Sequence, residues 1–556
     1  MNRITPLPWV IHLWRGDLHA YTHKLHKEYG PVVRVAPSEI SFIDPAAWKD
    51  IYQRPRLIGN ALDGKDIPEL PKPDWFFRPN MSLEPNIISV DFETHARLRR
   101  DLAPGFSEKN LREQEALINV YIDRLIKQLR ERSGNGTVEV DLAAWIGFAT
   151  TDIIADLALG ESFKLLETGQ GNEYSAIFNR VIREDMTLAG LRRVAPQWVT
   201  ALAYKFIAHS RINYLALCKT ALERRVASRI RNRPDLAQPL IDRSNSPEGY
   251  PFESIVHTMA LIIFAGEETT AAVLTGCLYY LATNPECLEK AQQEVRSRFR
   301  SEKEITMNAV NRLEYTIACL NETMRIYPPV AHGLPRITPP RAVAPNGVII
   351  AGNVVPPDTN VSISPYAVNH YPGYWRQPGL FCPERWLVRS LTHATWNTWE
   401  AFRNDRTEGL KPFFLGPRDC IGQNLARVEM RLILARFLFA FDKVEVCEQS
   451  KAWTKNQRGW VTWAKPELFV RLTPREMPED EEEDLVEEEE ETEDEWDEEA
   501  EIARRAALTQ EERDAEDSGI VDDATMAHLR KCLLEDFGES PRRRRRGETR
   551  TEKQDE

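Results

Sequence analysis

Phe413-Phe414-Leu415-Gly416-Pro417-Arg418-Asp419-Cys420-Ile421-Gly422 stands directly before a run, about Gln423 to Phe441, whose apolar residues Leu425, Val428, Leu432, Leu434-Ala435 and Leu438 recur at helical spacing. This order predicts a tight loop that delivers a cysteine to a helix N-terminus. A thiolate that holds a metal needs N–H donors around its sulfur and a positive local field, and the start of a helix supplies both. Gly416 and Gly422 allow close backbone approach and tight turning. Phe413 is placed to pack against the edge of a flat cofactor, and Arg418, two residues before the sulfur, to reach an anionic edge of it. A lone cysteine is usually an inert buried thiol, but four fixed partners over ten positions argue for ligation.

The run resembles the haem-binding pattern Phe-x-x-Gly-x-Arg-x-Cys-x-Gly of the cytochrome P-450 superfamily, in which a cysteine thiolate ligates the iron. Three further stretches match in the expected order. Glu322-Thr323-Met324-Arg325 lies on a predicted helix, where positions i and i+3 share a face and can pair. Pro383-Glu384-Arg385-Trp386 resembles the element whose arginine joins that pair and locks the loop leading to the cysteine. Within a long helix predicted from about Ser254 to Thr283, Ala265-Gly266-Glu267-Glu268-Thr269-Thr270 resembles the dioxygen-binding groove. The resemblance implies that Gly266 thins the helix over the iron while Glu268 and Thr269 organise water and deliver protons.

The resemblance also implies partners for the two haem propionates. His95 and Arg99, at i and i+4 in His95-Ala96-Arg97-Leu98-Arg99, share one helical face, and with Arg418 and Arg336 they are the expected contacts. Cys420 is the expected ligand of haem b. Substrate is expected between Ile262 to Ala265, Ile87 to Val90, Val330 to Leu334 and Trp460 to Val461.

The expected fold is mainly α with a small β-sheet region, the cytochrome P-450 fold of a helical haem domain plus a β-rich subdomain. Val32–Val35 and Glu39–Ile43 read as strands around a turn at Ala36-Pro37-Ser38. Helical spacing dominates from about Phe92 to Phe299, strand signals return between Pro328 and Ile363, and the catalytic domain is expected to span 1–475. From Glu476 on, 33 acidic and 12 basic residues give a net charge of −21, and 17 of the 21 residues from Glu479 to Glu499 are acidic. Such a stretch cannot bury enough apolar surface to offset chain ordering, so 476–556 reads as an acidic disordered tail. The remaining body carries 60 basic and 52 acidic residues, a net of +8.

The 8 cysteines have no CxxC pair or regular spacing, so neither a disulfide framework nor a structural zinc site is indicated. No stretch is expected to reach the roughly 18 apolar residues of a membrane span, and the first residues lack the features of a signal peptide. The resemblance implies a monooxygenase similar to fungal secondary-metabolite P-450s, including trichothecene C-15 hydroxylases. It implies dioxygen, a lipophilic terpenoid or polyketide substrate, and electrons from NADPH through a separate NADPH-cytochrome P-450 reductase. It places the enzyme at the cytoplasmic face of the endoplasmic reticulum with peripheral membrane contact and no nucleic-acid partner. Two alternatives are a P-450 that rearranges or dehydrates its substrate without external electrons, and a non-catalytic haem-binding interaction protein.

Overall fold

Asp91 ends an irregular segment and starts a helix, because its Oδ1 accepts from the N–H groups of Glu93 and Thr94, both at 3.0 Å. The helix it caps, Phe92–Leu102, carries His95 and Arg99. Asp141 does the same for Leu142–Leu159, which ends at Gly160 with φ of 80°. The long helix, Phe252–Thr283, stops where Asn284 precedes Pro285, and Pro285 opens the next helix at its first turn. Each boundary therefore has a local chemical cause. These elements belong to a computed structural model, which describes residues 4–476 apart from 59–66, 79–83, 172, 208, 229–232, 234, 245–248 and 388–400. The acidic tail lies outside the described residues.

The expected division into helices and small sheets is present. Strands Val32–Ala36 and Glu39–Phe42 pair antiparallel, Glu39–Phe42 runs parallel to Asn360–Ile363, and Arg336–Ile337 completes a four-stranded sheet. Its core side packs Phe42, Val361 and Ile363 against Trp48 and Ile51. A second sheet places Phe469–Pro474 between Glu139–Asp141 and Phe441–Val446. The strand Glu139–Asp141 lies within the stretch where helical spacing dominates.

Leu142–Leu159 packs along the long helix at the centre of the molecule. By length and composition both could cross a membrane, which corrects the expectation that no stretch would qualify, but 89% and 72% of their most apolar windows are buried within the protein. They are core helices here. Gly266 explains part of that packing, since a Cβ there would lie 2.7 Å from Cγ1 of Ile154. Its missing side chain admits the neighbouring helix, a packing role that stands beside the expected one of thinning the helix over a cofactor.

The pairing expected on helix Glu314–Ile326 is complete and inaccessible. Arg325 donates to both carboxylate oxygens of Glu322, at 2.9 and 2.7 Å, and Arg385 Nε donates to Glu322 Oε1 at 3.0 Å. All three side chains are 0% exposed. Trp386 Nε1 and the Cys382 N–H also donate to Glu322, at 2.8 and 3.0 Å. Arg325 further donates to the carbonyls of Asn369, Pro378 and Leu380, while Arg385 pairs with Asp405.

Histidines cluster nearby. His19, His23 and His26 lie on helix Leu18–Tyr29, with the His370 ring centroid 5.9 Å from that of His23. Burial lowers each from its ordinary 6.5, to about 3 for His19 and His370 and about 4 for His23, His26 and His332.

Two predictions follow from these buried charges. Glu322→Ala leaves two guanidinium groups enclosed without their shared carboxylate and is expected to cost about 3–5 kcal/mol in denaturant unfolding. Arg471→Ala, which breaks an open pair with Glu139, is expected to cost far less. Equal losses would contradict this account. The unfolded chain takes up protons between pH 6.5 and 4 that the folded histidines refuse, so stability is full above 6.5 and declines as pH falls through that window. The loss by pH 5.5 is expected to be roughly 1 kcal/mol for each enclosed histidine. A thermal midpoint unchanged between pH 7.5 and 5.5 contradicts it.

Candidate functional site

The cysteine loop closes on itself before the helix Gln423–Ala440 begins. The Cys420 N–H donates to the Phe413 carbonyl at 3.0 Å, and the Asp419 N–H to the Gly416 carbonyl at 3.1 Å. Gly416 holds φ of 87°, and a Cβ there would sit 1.9 Å from the Tyr52 carbonyl oxygen. Only glycine fits. Cys420 is exposed, yet burial is the main influence on its thiol and raises it to about 11, opposed by the Gly422 N–H and by the cations of Arg99 and Arg427. An accessible side chain with a desolvated thiol lines a recess rather than the outer surface. Phe413 packs under the Arg427 guanidinium, 4.9 Å from the ring centroid.

Of the expected propionate contacts, Arg418 and Arg336 act on a single acid, Glu69, and His95 lies in the field of their cations. Arg418 Nε donates to both oxygens of Glu69, at 2.9 and 2.8 Å, and Nη2 donates to the Val90 carbonyl at 3.0 Å. Its Nη1 is buried without a hydrogen-bond partner. Burial lowers His95 to about 3, helped by the cations of Arg418, Lys72, Arg99 and Arg336. Lys72 is pushed far down by burial and then by Arg418 and Arg336, against which Glu69 works. Arg336 is buried between the rings of Tyr52 and Phe77, at 5.2 and 5.6 Å. Arg99 instead ties the loop down, donating from Nη1 to the Asp419 carbonyl at 2.7 Å and pairing with its carboxylate.

Sequence reasoning did not find Lys72 or Glu69. Their segment reads only as the proline-rich run Leu70-Pro71-Lys72-Pro73, and its position is set by the Ile337 N–H, which donates to the Pro71 carbonyl at 2.8 Å. Three basic side chains, Arg418, Lys72 and Arg336, gathered on one carboxylate, with one guanidinium nitrogen unsatisfied, suit an additional anion. A thiol in a recess and an anion-seeking basic cluster two residues away fit haem with its propionates.

On the long helix, Thr269 Oγ1 donates to the Ala265 carbonyl at 2.7 Å, the ordinary habit of a mid-helix threonine. Glu268 is buried and paired with Lys465 Nζ at 2.6 Å. The structure therefore places Glu268 and Thr269 side by side in sequence, each with a different partner. Glu267 lies 3.9 Å from Lys465 through Oε1, and its Oε2 is buried without a partner. Burial and the Glu268 charge raise the Glu267 carboxyl well above the usual range. Ala265 is exposed although its neighbours Ile262 and Ile263 are buried, so the long helix is left uncovered at this turn.

Each segment expected to enclose substrate contributes a side chain to a cavity of about 190 Å³: Phe264, Ile88, Leu334 and Val461. The expectation is corrected for Ile262 and Ile263, which belong to the core, and for Trp460, which packs beneath Arg183.

The geometry at Gly416 carries a test. Gly416→Ala is expected to lose most bound haem, because both φ and the Tyr52 carbonyl oppose a side chain, whereas Gly422→Ala meets only Phe106 at 3.6 Å and is expected to retain it. Haem-to-protein ratio after purification reads the difference, and full retention by Gly416→Ala sinks the argument.

Comparison with known proteins agrees with this geometry. The cytochrome P450 family model matches residues 3–471. The chain is 38% identical to the cytochrome P450 monooxygenase tpeC of Talaromyces stipitatus, over 85% of this chain and 88% of that one. It is 36% identical to an averantin hydroxylase of Dothistroma septosporum, with 85% of each chain covered. It is 35% identical to a trichothecene C-15 hydroxylase of Fusarium sporotrichioides, over 85% of this chain and 92% of that one. A thiol loop built around Gly416, a basic cluster short of one anion and a matched family model over nearly the whole folded body lead to one conclusion: the chain belongs to the cytochrome P450 family, whose members bind haem through a cysteine thiolate, and it is a monooxygenase.

Proposed function

We propose that Cys420 is the thiolate ligand of haem b and that the enzyme inserts one oxygen atom from dioxygen into a lipophilic terpenoid or polyketide of fungal specialised metabolism. The observation that carries the reading is the pairing of an exposed Cys420 in the glycine-turned loop with an unsatisfied, buried Arg418 Nη1 two residues before it. Haem bound through a thiolate supplies the activation of dioxygen.

The chain's own residues do the rest. His95, Lys72, Arg336 and Arg418 hold the propionates, Arg99 acts through Asp419 to keep the loop seated, and Phe413 backs the cysteine. Two carboxylates beside one ammonium retain a proton, and burial together with the Glu268 charge places it on Glu267. Glu268 passes protons toward the Thr269 hydroxyl, which already donates to Ala265 and accepts through its free lone pairs. The apolar cavity lining excludes water and suits a lipophilic substrate.

Electrons come from NADPH through a separate reductase. Support for that partner lies in the +8 body and in Lys411, Arg427 and Arg431, which rim a recess of about 370 Å³ beside the cysteine loop. The enzyme works at the cytoplasmic face of the endoplasmic reticulum through peripheral contact. Trp198, Leu202 and Phe206, at four-residue steps on helix Gln197–Ile207, are 70%, 52% and 72% exposed and form an apolar stripe suited to a lipid surface.

The test is spectroscopic. The reduced, carbon-monoxide-bound protein is expected to show the Soret shift of thiolate ligation, Cys420→Ala to abolish it, and Thr269→Ala to keep it while slowing product formation by about 10²-fold. An unchanged shift in Cys420→Ala removes the proposed ligand.

A further inference from the structure

The cavity beside the long helix is apolar at the end that includes Leu334 and Val461, but it also has polar residues on its wall. His257, Asn86, Asp185 and Arg211 line it together with the apolar side chains. Arg211 Nη1 pairs with Asp185, so the pair brings no net charge, and the Arg211 Nε is buried without a partner. Burial raises Asp185 while Arg211 opposes the shift. A carboxylate ligand would meet Asp185 beside an arginine already neutralised. An uncharged polar group meets no such opposition.

His257 fixes which uncharged group fits. Its Nδ1 lies 2.8 Å from the Glu84 carbonyl oxygen. A carbonyl only accepts, so Nδ1 carries the proton, and in the neutral ring Nε2 is then an acceptor. The hydroxyl of Tyr214, which lines the same cavity, is already committed, donating to the Ala260 carbonyl at 2.6 Å. An acceptor at His257 Nε2 calls for a hydroxyl donor on the ligand. A ketone, an ether or an ester offers none.

The position of His257 adds a ruler. His257, Leu261, Ala265 and Thr269 follow one another at four-residue steps along the long helix. His257 and Leu261 line the cavity, and Ala265 is the exposed turn. At 1.5 Å per residue, His257 stands about 12 Å along the axis from Ala265.

We propose that the His257 end of the cavity recognises a hydroxyl group, phenolic or alcoholic, on an otherwise apolar substrate, and so selects for oxidation a carbon about 12 Å from that hydroxyl. This inference rests on the monooxygenase reading, since the oxidised carbon is taken to lie by Ala265.

The experiment uses the haem-loaded enzyme and two probe series, 4-alkylphenols of increasing chain length and their methyl ethers, which share shape and differ in the donor. Binding is titrated through the Soret change of the resting enzyme. The phenols are expected to bind about tenfold tighter than their ethers. His257→Phe is expected to remove that preference without weakening the ethers, and His257→Gln, whose amide oxygen can accept, to restore part of it. With reductase and NADPH, oxidation is expected on the alkyl chain about 12 Å from the phenolic oxygen. Equal affinity of phenols and ethers in the wild-type enzyme overturns the inference even if no variant folds, and so does oxidation next to the hydroxyl-bearing ring. Either result, obtained on protein with the thiolate Soret shift, leaves the monooxygenase reading standing, whereas loss of that shift in the wild-type protein removes both.

Discussion

Glu322 is one carboxylate that accepts from two arginines, an indole and a backbone amide in a place no water reaches. Desolvating such a group costs several kcal/mol, and the cost is offset only because every lone pair finds a donor. The arginines in turn export order. Arg325 gathers carbonyls from 369 to 380, and Arg385 reaches Asp405. That fixes the segment feeding into Leu410 and the cysteine loop. Cys420 is therefore held from one side by this buried network, from another by Arg99 on Asp419, and from below by the Tyr52 carbonyl against Gly416.

Much of this was legible because the relevant chemistry is local. The cysteine loop, the helix after it and the Glu322–Arg325 pair are short-range patterns; the helix expected over about Gln423 to Phe441 runs Gln423–Ala440, and Glu322 and Arg325 lie on a helix as expected. Arg385 was assigned its partner through resemblance, and the contact is there. What escaped was long-range. Glu69 meets Arg418 across 349 positions and Lys465 meets Glu268 across 197, and neither spacing leaves a mark in a periodic pattern. A strand of three residues such as Glu139–Asp141 is equally silent, because its pairing rather than its composition defines it.

Two motif residues also have partners within the protein: Gly266 leaves room for Ile154, and Thr269 bonds back to its own helix. A helix in the middle of a protein has neighbours on every side, so a motif names residues without naming the face each one serves. Burial on all sides also explains the histidines: rings placed among Tyr366, Trp463 and one another stay neutral where exposed ones would titrate.

The last strand of the folded body, Phe469–Pro474, is the middle one of its sheet, with Val470 opposite both Val140 and Val446. It is thus gripped on two edges just downstream of Lys465, the residue that touches Glu268. Force or bulk applied to the chain beyond Pro474 must break that double grip before it can tug the ammonium from its carboxylate. The sheet acts as a strain relief on a cable, and cargo fused behind it leaves the Lys465–Glu268 pair undisturbed.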